Sequence, residues 1–190
     1  MSFVSTLSSG SKRRTFTFSE AVLLGWAPDG GMFWPAEVPH LDPATLRSWA
    51  DLGYPALCAE ILKLFIAGDE EMSDVDIDDI CRDCFTRFGS AETVHVRPLS
   101  VPTAIGRGSS GGFDNGYYIS ELWHGPTLAF KDLGMCVLAR TMRHLLRKRG
   151  QKLTLLVGTS GDTGSSAMEA SRRRSYINLS IYTYIYTLIY

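Results

Sequence analysis

The sequence predicts an α/β protein: a mainly helical first half followed by the incomplete start of a three-layer α/β domain. Three observations carry this. Apolar residues recur at helical spacing between 41 and 88. From 117 to 157 an aromatic run, a helical stretch and a β-branched run follow in strand, helix, strand order. A glycine loop at 158–164 then opens into another helix. The 190 residues suffice for one domain, or a small one and part of another. With 45% hydrophobic and 21% charged residues and a net charge of -1, nothing marks disorder, and no positive field attracts nucleic acid or an anionic membrane. No run approaches the ~18 apolar residues of a membrane span. Ser-rich residues with Lys12, Arg13 and Arg14 resemble a transit peptide only faintly, so a cytoplasmic location is the expectation.

Phe3 to Thr6 reads as a strand, and Ser9 to Arg14 as a turn or loop. Ser19 is the expected N-cap of a helix from Glu20 to Leu24, with Phe18 as a staple and Gly25 as the stop. Ala27-Pro-Asp-Gly-Gly31 is a turn, because proline presets one dihedral and glycine tolerates positive φ. Met32, Phe33 and Trp34 read as a short buried strand ended by Pro35. Asp42 before Pro43 starts a short helix from Ala44 to Ala50. Tyr54 to Ile66 is a second, with Leu57, Ile61, Leu64 and Phe65 as its expected inward face. A third, Val75 to Phe88, opens on Ser73 and Asp76 and carries a stripe of Ile77, Ile80, Cys81, Cys84, Phe85 and Phe88.

Cys81 and Cys84 lie mid-helix on that stripe with no second Cys or His pair nearby in sequence, so they read as core thiols rather than a redox or zinc pair. The acidic run from Glu70 to Asp79 reads as a solvated helix start, and no metal site is expected. Val94 to Leu99 alternates as a strand. Residues 106–116 form a glycine-rich loop without the Gly-Lys-Ser/Thr ending of a phosphate loop.

The densest chemistry falls in Glu121-Leu-Trp-His-Gly-Pro-Thr-Leu-Ala-Phe-Lys131-Asp132. Lys131 belongs to the first turn of a helix reaching about Lys148, where the dipole disfavours an ammonium by up to about 1 kcal/mol. Only a neutral amine attacks a carbonyl, so this position suits a nucleophilic lysine; a surface lysine is the plainer reading. The basic residues from Arg140 to Arg149 read as a solvated helix end. Lys152 to Val157 reads as a parallel strand buried on both faces, completing a βαβ unit. In Gly158-Thr-Ser-Gly-Asp-Thr-Gly164, hydroxyls and amides at a helix start suit an anion, while Asp162 would repel one unless it faces a donor.

His124-Gly-Pro-Thr-Leu-Ala-Phe-Lys131-Asp132, Thr159-Ser-Gly-Asp-Thr-Gly164 and Trp26-Ala-Pro-Asp-Gly-Gly31 occur in the order seen in threonine synthases and threonine synthase-like proteins, pyridoxal-phosphate enzymes of fold type II. The chain resembles that family from about Phe3 to Ala170, although Ser5-Thr6-Leu7 lacks the Arg-Gly that follows Ser-Thr there. The resemblance implies an N-terminal domain over 1–100, the start of the cofactor domain over 101–170, and conversion of O-phosphohomoserine and water to threonine and phosphate, or a related phosphate elimination. Lys131 would hold pyridoxal 5'-phosphate as a Schiff base and shuttle protons. Ser160, Gly161, Asp162, Thr163 and Gly164 would lie against the cofactor, and His124, Thr127, Thr159 and Ser160 toward a small phospho-amino acid substrate. The alternative is a non-catalytic interaction protein that keeps the lysine loop by descent.

The family's second glycine loop, for the cofactor phosphate, and its ring-nitrogen partner have no counterpart in the sequence, so the chain alone is expected to be inactive. Residues 171–190 turn to Ser-Arg-Arg-Arg-Ser and then an Ile, Tyr and Thr repeat of high β-propensity. That break favours a truncated or misjoined frame, over an added edge strand or an anchor.

Overall fold

The computed structural model describes residues 1–9, 13–90, 92–99, 117–172 and 176–183. The glycine-rich loop at 106–116 and the end of the tail, 184–190, lie outside the described residues. Strand β1 (Phe3–Ser5) pairs antiparallel with β2 (Phe33–Pro35), and Phe3 also bridges to Phe16. Of this small ribbon β1 is the better covered strand, with Val4 and Ser5 both buried. Met32 and Trp34, expected to be buried, are 57% and 58% exposed.

Helix α1 spans Phe18–Leu24, and its cap is Thr17 rather than Ser19. Both hydroxyls are suited to capping, but only Thr17 has a glutamate at N3: Glu20 N donates to Thr17 Oγ1 at 3.1 Å, and Thr17 N to Glu20 Oε2 at 2.8 Å. Ser19 is instead fully buried, donating from N and Oγ to Asp69 at 2.8 and 2.9 Å. Helix α2 (Pro43–Ser48) starts as expected on Asp42, whose Oδ1 accepts from Ala44 N and Thr45 N.

Helices α3 (Tyr54–Ile66) and α4 (Asp74–Cys84) pack on α5 (Lys131–Arg149). The α4 stripe is as read, with Ile77 at 1% exposure and Cys81 at 0%. The inward side of α3 differs. Ala59 and Ile66, with Tyr54, Cys58 and Leu62, meet the core, and Ile61 faces solvent. Cys81 and Cys84 are free core thiols; contacts with Cys58 and Cys136 respectively, together with burial, push both upward from an ordinary thiol.

The basic end of α5 is exposed, as expected, and is also bonded to neighbouring elements. Arg149 Nε donates to Glu71 Oε1 at 2.8 Å, Lys148 Nζ to Glu71 O at 3.0 Å, and Arg140 reaches both the side chain and the carbonyl of Asp83. Part of the acidic run is therefore a docking edge.

Strand β3 (His95–Pro98) pairs antiparallel with β4 (Tyr118–Glu121), so β4, α5 and β5 do not form the expected βαβ unit. That unit lies later: β5 (Leu153–Thr159), α6 (Asp162–Ser171) and β6 (Ile177–Thr183), with β5 and β6 parallel from Leu153↔Ile177 to Thr159↔Thr183. The described part of the tail is thus an edge strand whose partner lies upstream across a helical crossover. With only β6 beside it among the described residues, β5 alternates rather than being covered on both faces, and Leu156 is 70% exposed. Met142 and Leu146 of α5 join Ile177, Leu153 and Leu155 in a second apolar cluster. Among the described residues no helix is long and apolar enough to cross a membrane.

Candidate functional site

Phe130 N-caps α5 without a side-chain bond, and Lys131 is its first residue. The amine lies 4.4 Å from the centroid of the Phe130 ring, a cation-π contact on a half-buried side chain. No carboxylate pairs with it among the described residues. The turn before it is shaped by Asp132, which is 3% exposed. Thr127 donates to Asp132 from N to Oδ2 and from Oγ1 to Oδ1, both at 2.7 Å. Leu128 takes a left-handed conformation at φ 60°, rare for a branched residue and held here by those bonds. Gly125 is required for the same reason: a Cβ there would lie 2.4 Å from Asp132 Oδ2.

Asp132 was not singled out as a site residue from sequence. The available signal was an acid in the first helical turn, five residues after a threonine, which suits a carboxylate folding back on a loop. Its neighbour Ser166, also missed, is 1% exposed, with Oγ 3.1 Å from Thr127 Oγ1. That contact joins the lysine turn to α6.

The glycine loop is braced from within. Thr159 Oγ1 accepts from Gly161 N at 3.1 Å and Gly164 N at 3.2 Å, and a Cβ on Gly164 would meet Thr159 Cγ2 at 2.4 Å. Ser160 and Asp162 are exposed and Thr163 is half-buried. Gly161 caps α6 without a side chain, so the amides of Asp162 and Thr163 in the first turn lack helical acceptors and are available as donors. The loop and the lysine turn are linked through Thr127 and Ser166; among the described residues no hydrogen bond joins Lys131 to 158–164. An open cleft of about 1230 Å³ lies beside this link, lined by Thr127, Ser165, Met168, Ile177, Leu179 and Ile181 among others.

His124 faces the other way, toward the hairpin. Its Nε2 is 2.8 Å from Glu121 Oε2, its ring lies 4.3 Å from that of His95, and its carbonyl accepts from Gly89 N. The bond from His124, aided by the Arg97 charge, holds the Glu121 carboxyl below its ordinary value.

Residues 2–85 match the family model described as the threonine synthase N terminus. The chain is 41% identical over 153 residues to human threonine synthase-like 2, covering 80% of this chain and 28% of that protein. It is 35% identical over 189 residues to the threonine synthase of Corynebacterium glutamicum, covering 96% of this chain and 35% of that one. The crystal structure of pyridoxal-phosphate-bound threonine synthase from Brucella melitensis superposes with a TM-score of 0.79 at 32% identity, over 95% of this chain and 35% of the other. Coverage of this extent reaches past Ala170 into the tail. The chain spans about a third or less of the length of these relatives.

Proposed function

Because the chain belongs to the threonine synthase and threonine synthase-like family, we propose that it carries the lysine and glycine-loop portion of a pyridoxal-phosphate site. The observation that carries this is Lys131 at the first residue of α5, its amine paired with no carboxylate among the described residues, beside a turn locked by Asp132. The donor set fits the group: a lysine amine for its carbonyl, and first-turn amides and hydroxyls at 158–164 for anionic oxygens.

When bound, pyridoxal phosphate supplies an electron sink for charge developing on the substrate carbon. Lys131 Nζ would hold the cofactor and, once displaced by the substrate amine, carry protons at that carbon. Ser160, Gly161, Asp162, Thr163 and Gly164 would face the cofactor, and the loop hydroxyls would orient the substrate carboxylate. Thr159 would act chiefly as the loop's brace, and Thr127 as the strut holding the lysine turn; His124 would flank the substrate side. The reaction so served would be loss of phosphate from the γ-carbon of O-phosphohomoserine with addition of water at the β-carbon, giving threonine and phosphate.

The purified chain is incubated with pyridoxal phosphate, reduced with borohydride and digested. A pyridoxyl adduct on the Lys131 peptide, absent in Lys131→Ala, supports the reading; adducts spread over surface lysines at equal yield refute it. Phosphate release from O-phosphohomoserine tests turnover separately.

A further inference from the structure

The antiparallel register sets His95 of β3 directly opposite Glu121 of β4, and His124 follows three residues on. One potential ligand atom from each of the three lies within 4.8 Å of the others. Their side chains are largely covered, at 14%, 18% and 23% exposure. The backbone is pinned as well, since Gly89 N donates to His124 O at 3.0 Å and so ties the turn to the segment that carries Ser90.

The surroundings suit ligation. Ser90 Oγ is 2.5 Å from His95 Nε2, so with the proton on Nε2 the lone pair is on Nδ1, open to a metal. Glu121 divides its oxygens: Oε2 faces His124 Nε2, while Oε1 is 3.5 Å from Arg97 Nε. Two groups now occupy the Nδ1 side of His95, Arg97 NH2 at 3.0 Å and Glu92 Oε2 at 3.1 Å. Both side chains are mostly in solvent, at 61% and 72% exposure, so Arg97 is free to swing away and Glu92 to stay as a fourth donor. Two imidazoles and a carboxylate form the donor set of a borderline cation, not of calcium or magnesium, which favour all-oxygen shells.

We propose that His95, Glu121 and His124 bind one divalent transition-metal ion, zinc by preference, pinning the base of the β3–β4 hairpin to the turn that leads to Lys131. The site is independent of the pyridoxal-phosphate reading and stands if that reading fails.

The test uses the whole 190-residue chain, stripped with chelator, titrated with Zn²⁺ by calorimetry and with Co²⁺ by visible absorption. One equivalent of each is expected, with a ligand-field spectrum free of thiolate-to-cobalt charge transfer. Glu121→Gln, nearly isosteric, is expected to weaken binding at least tenfold. Ser90→Ala, which keeps all three ligands, is expected to weaken it about tenfold through lost orientation of His95. Circular dichroism of each variant checks the fold. Affinity unchanged in both folded variants overturns the site, as does a charge-transfer band showing the metal on cysteine.

Discussion

Thr127 occupies both oxygens of the buried Asp132 carboxylate, one from its backbone amide and one from its hydroxyl, across five residues of sequence. Removing the hydroxyl leaves part of a buried carboxylate without a donor, a loss of about 1–3 kcal/mol. Thr127→Val is therefore expected to lower the urea midpoint by that equivalent, while Thr127→Ser, which keeps the hydroxyl, stays near wild type. Under the proposed function, pyridoxyl labelling at Lys131 falls in the valine variant even where the chain remains folded.

Gly164 faces Thr159 so closely that a methyl group would collide with Thr159 Cγ2. Gly164→Ala is expected to cost about 1–3 kcal/mol by overpacking. Thr159→Ser removes Cγ2 but keeps Oγ1, the acceptor for Gly161 and Gly164. The double variant should recover much of the loss. Simple additivity in a denaturation cycle would show that the collision is not the cause.

The bond from Arg149 holds the Glu71 carboxyl below its ordinary value. A depressed folded pKa gives stability that is present above the unfolded value of 4.5 and lost as pH falls through the folded one. Wild type should thus melt above Glu71→Gln at neutral pH, the gap closing as pH falls from the ordinary glutamate range toward about pH 3. A constant gap in melting temperature across that range would remove the pair from the account.

Leu145 has 0% exposure in the core shared by α3, α4 and α5. Leu145→Ala is expected to cost about 2–5 kcal/mol, measured by urea denaturation. Leu156→Ala, on the exposed face of β5, should shift stability by under about 0.5 kcal/mol.

Local chemistry made much of this structure readable in advance. The Ser73 and Asp76 box, the Asp42 and Pro43 start and the α4 stripe each depend on residues within a few positions of one another. The inward face of α3 was not readable, because apolar residues surround that helix and periodicity alone cannot choose among its sides. Nor was the partner of β5: parallel pairing is nonlocal, and the paired segment lies in a stretch of biased composition. In the candidate site, Lys131 and the glycine loop stood out by residue type. Asp132 and Ser166 did not, since their importance comes from burial, and the His95 and Glu121 pairing depends on a strand register between segments far apart in sequence.

Leu145 and Leu146 are consecutive, yet they enter different apolar clusters, one with α3 and α4 and the other with β5 and β6. A helix gripped on two sides in this way cannot roll about its own axis without withdrawing one leucine from its seat. The azimuth at which α5 presents its first residue is therefore fixed in part about four turns away from Lys131, by the seating of two leucines.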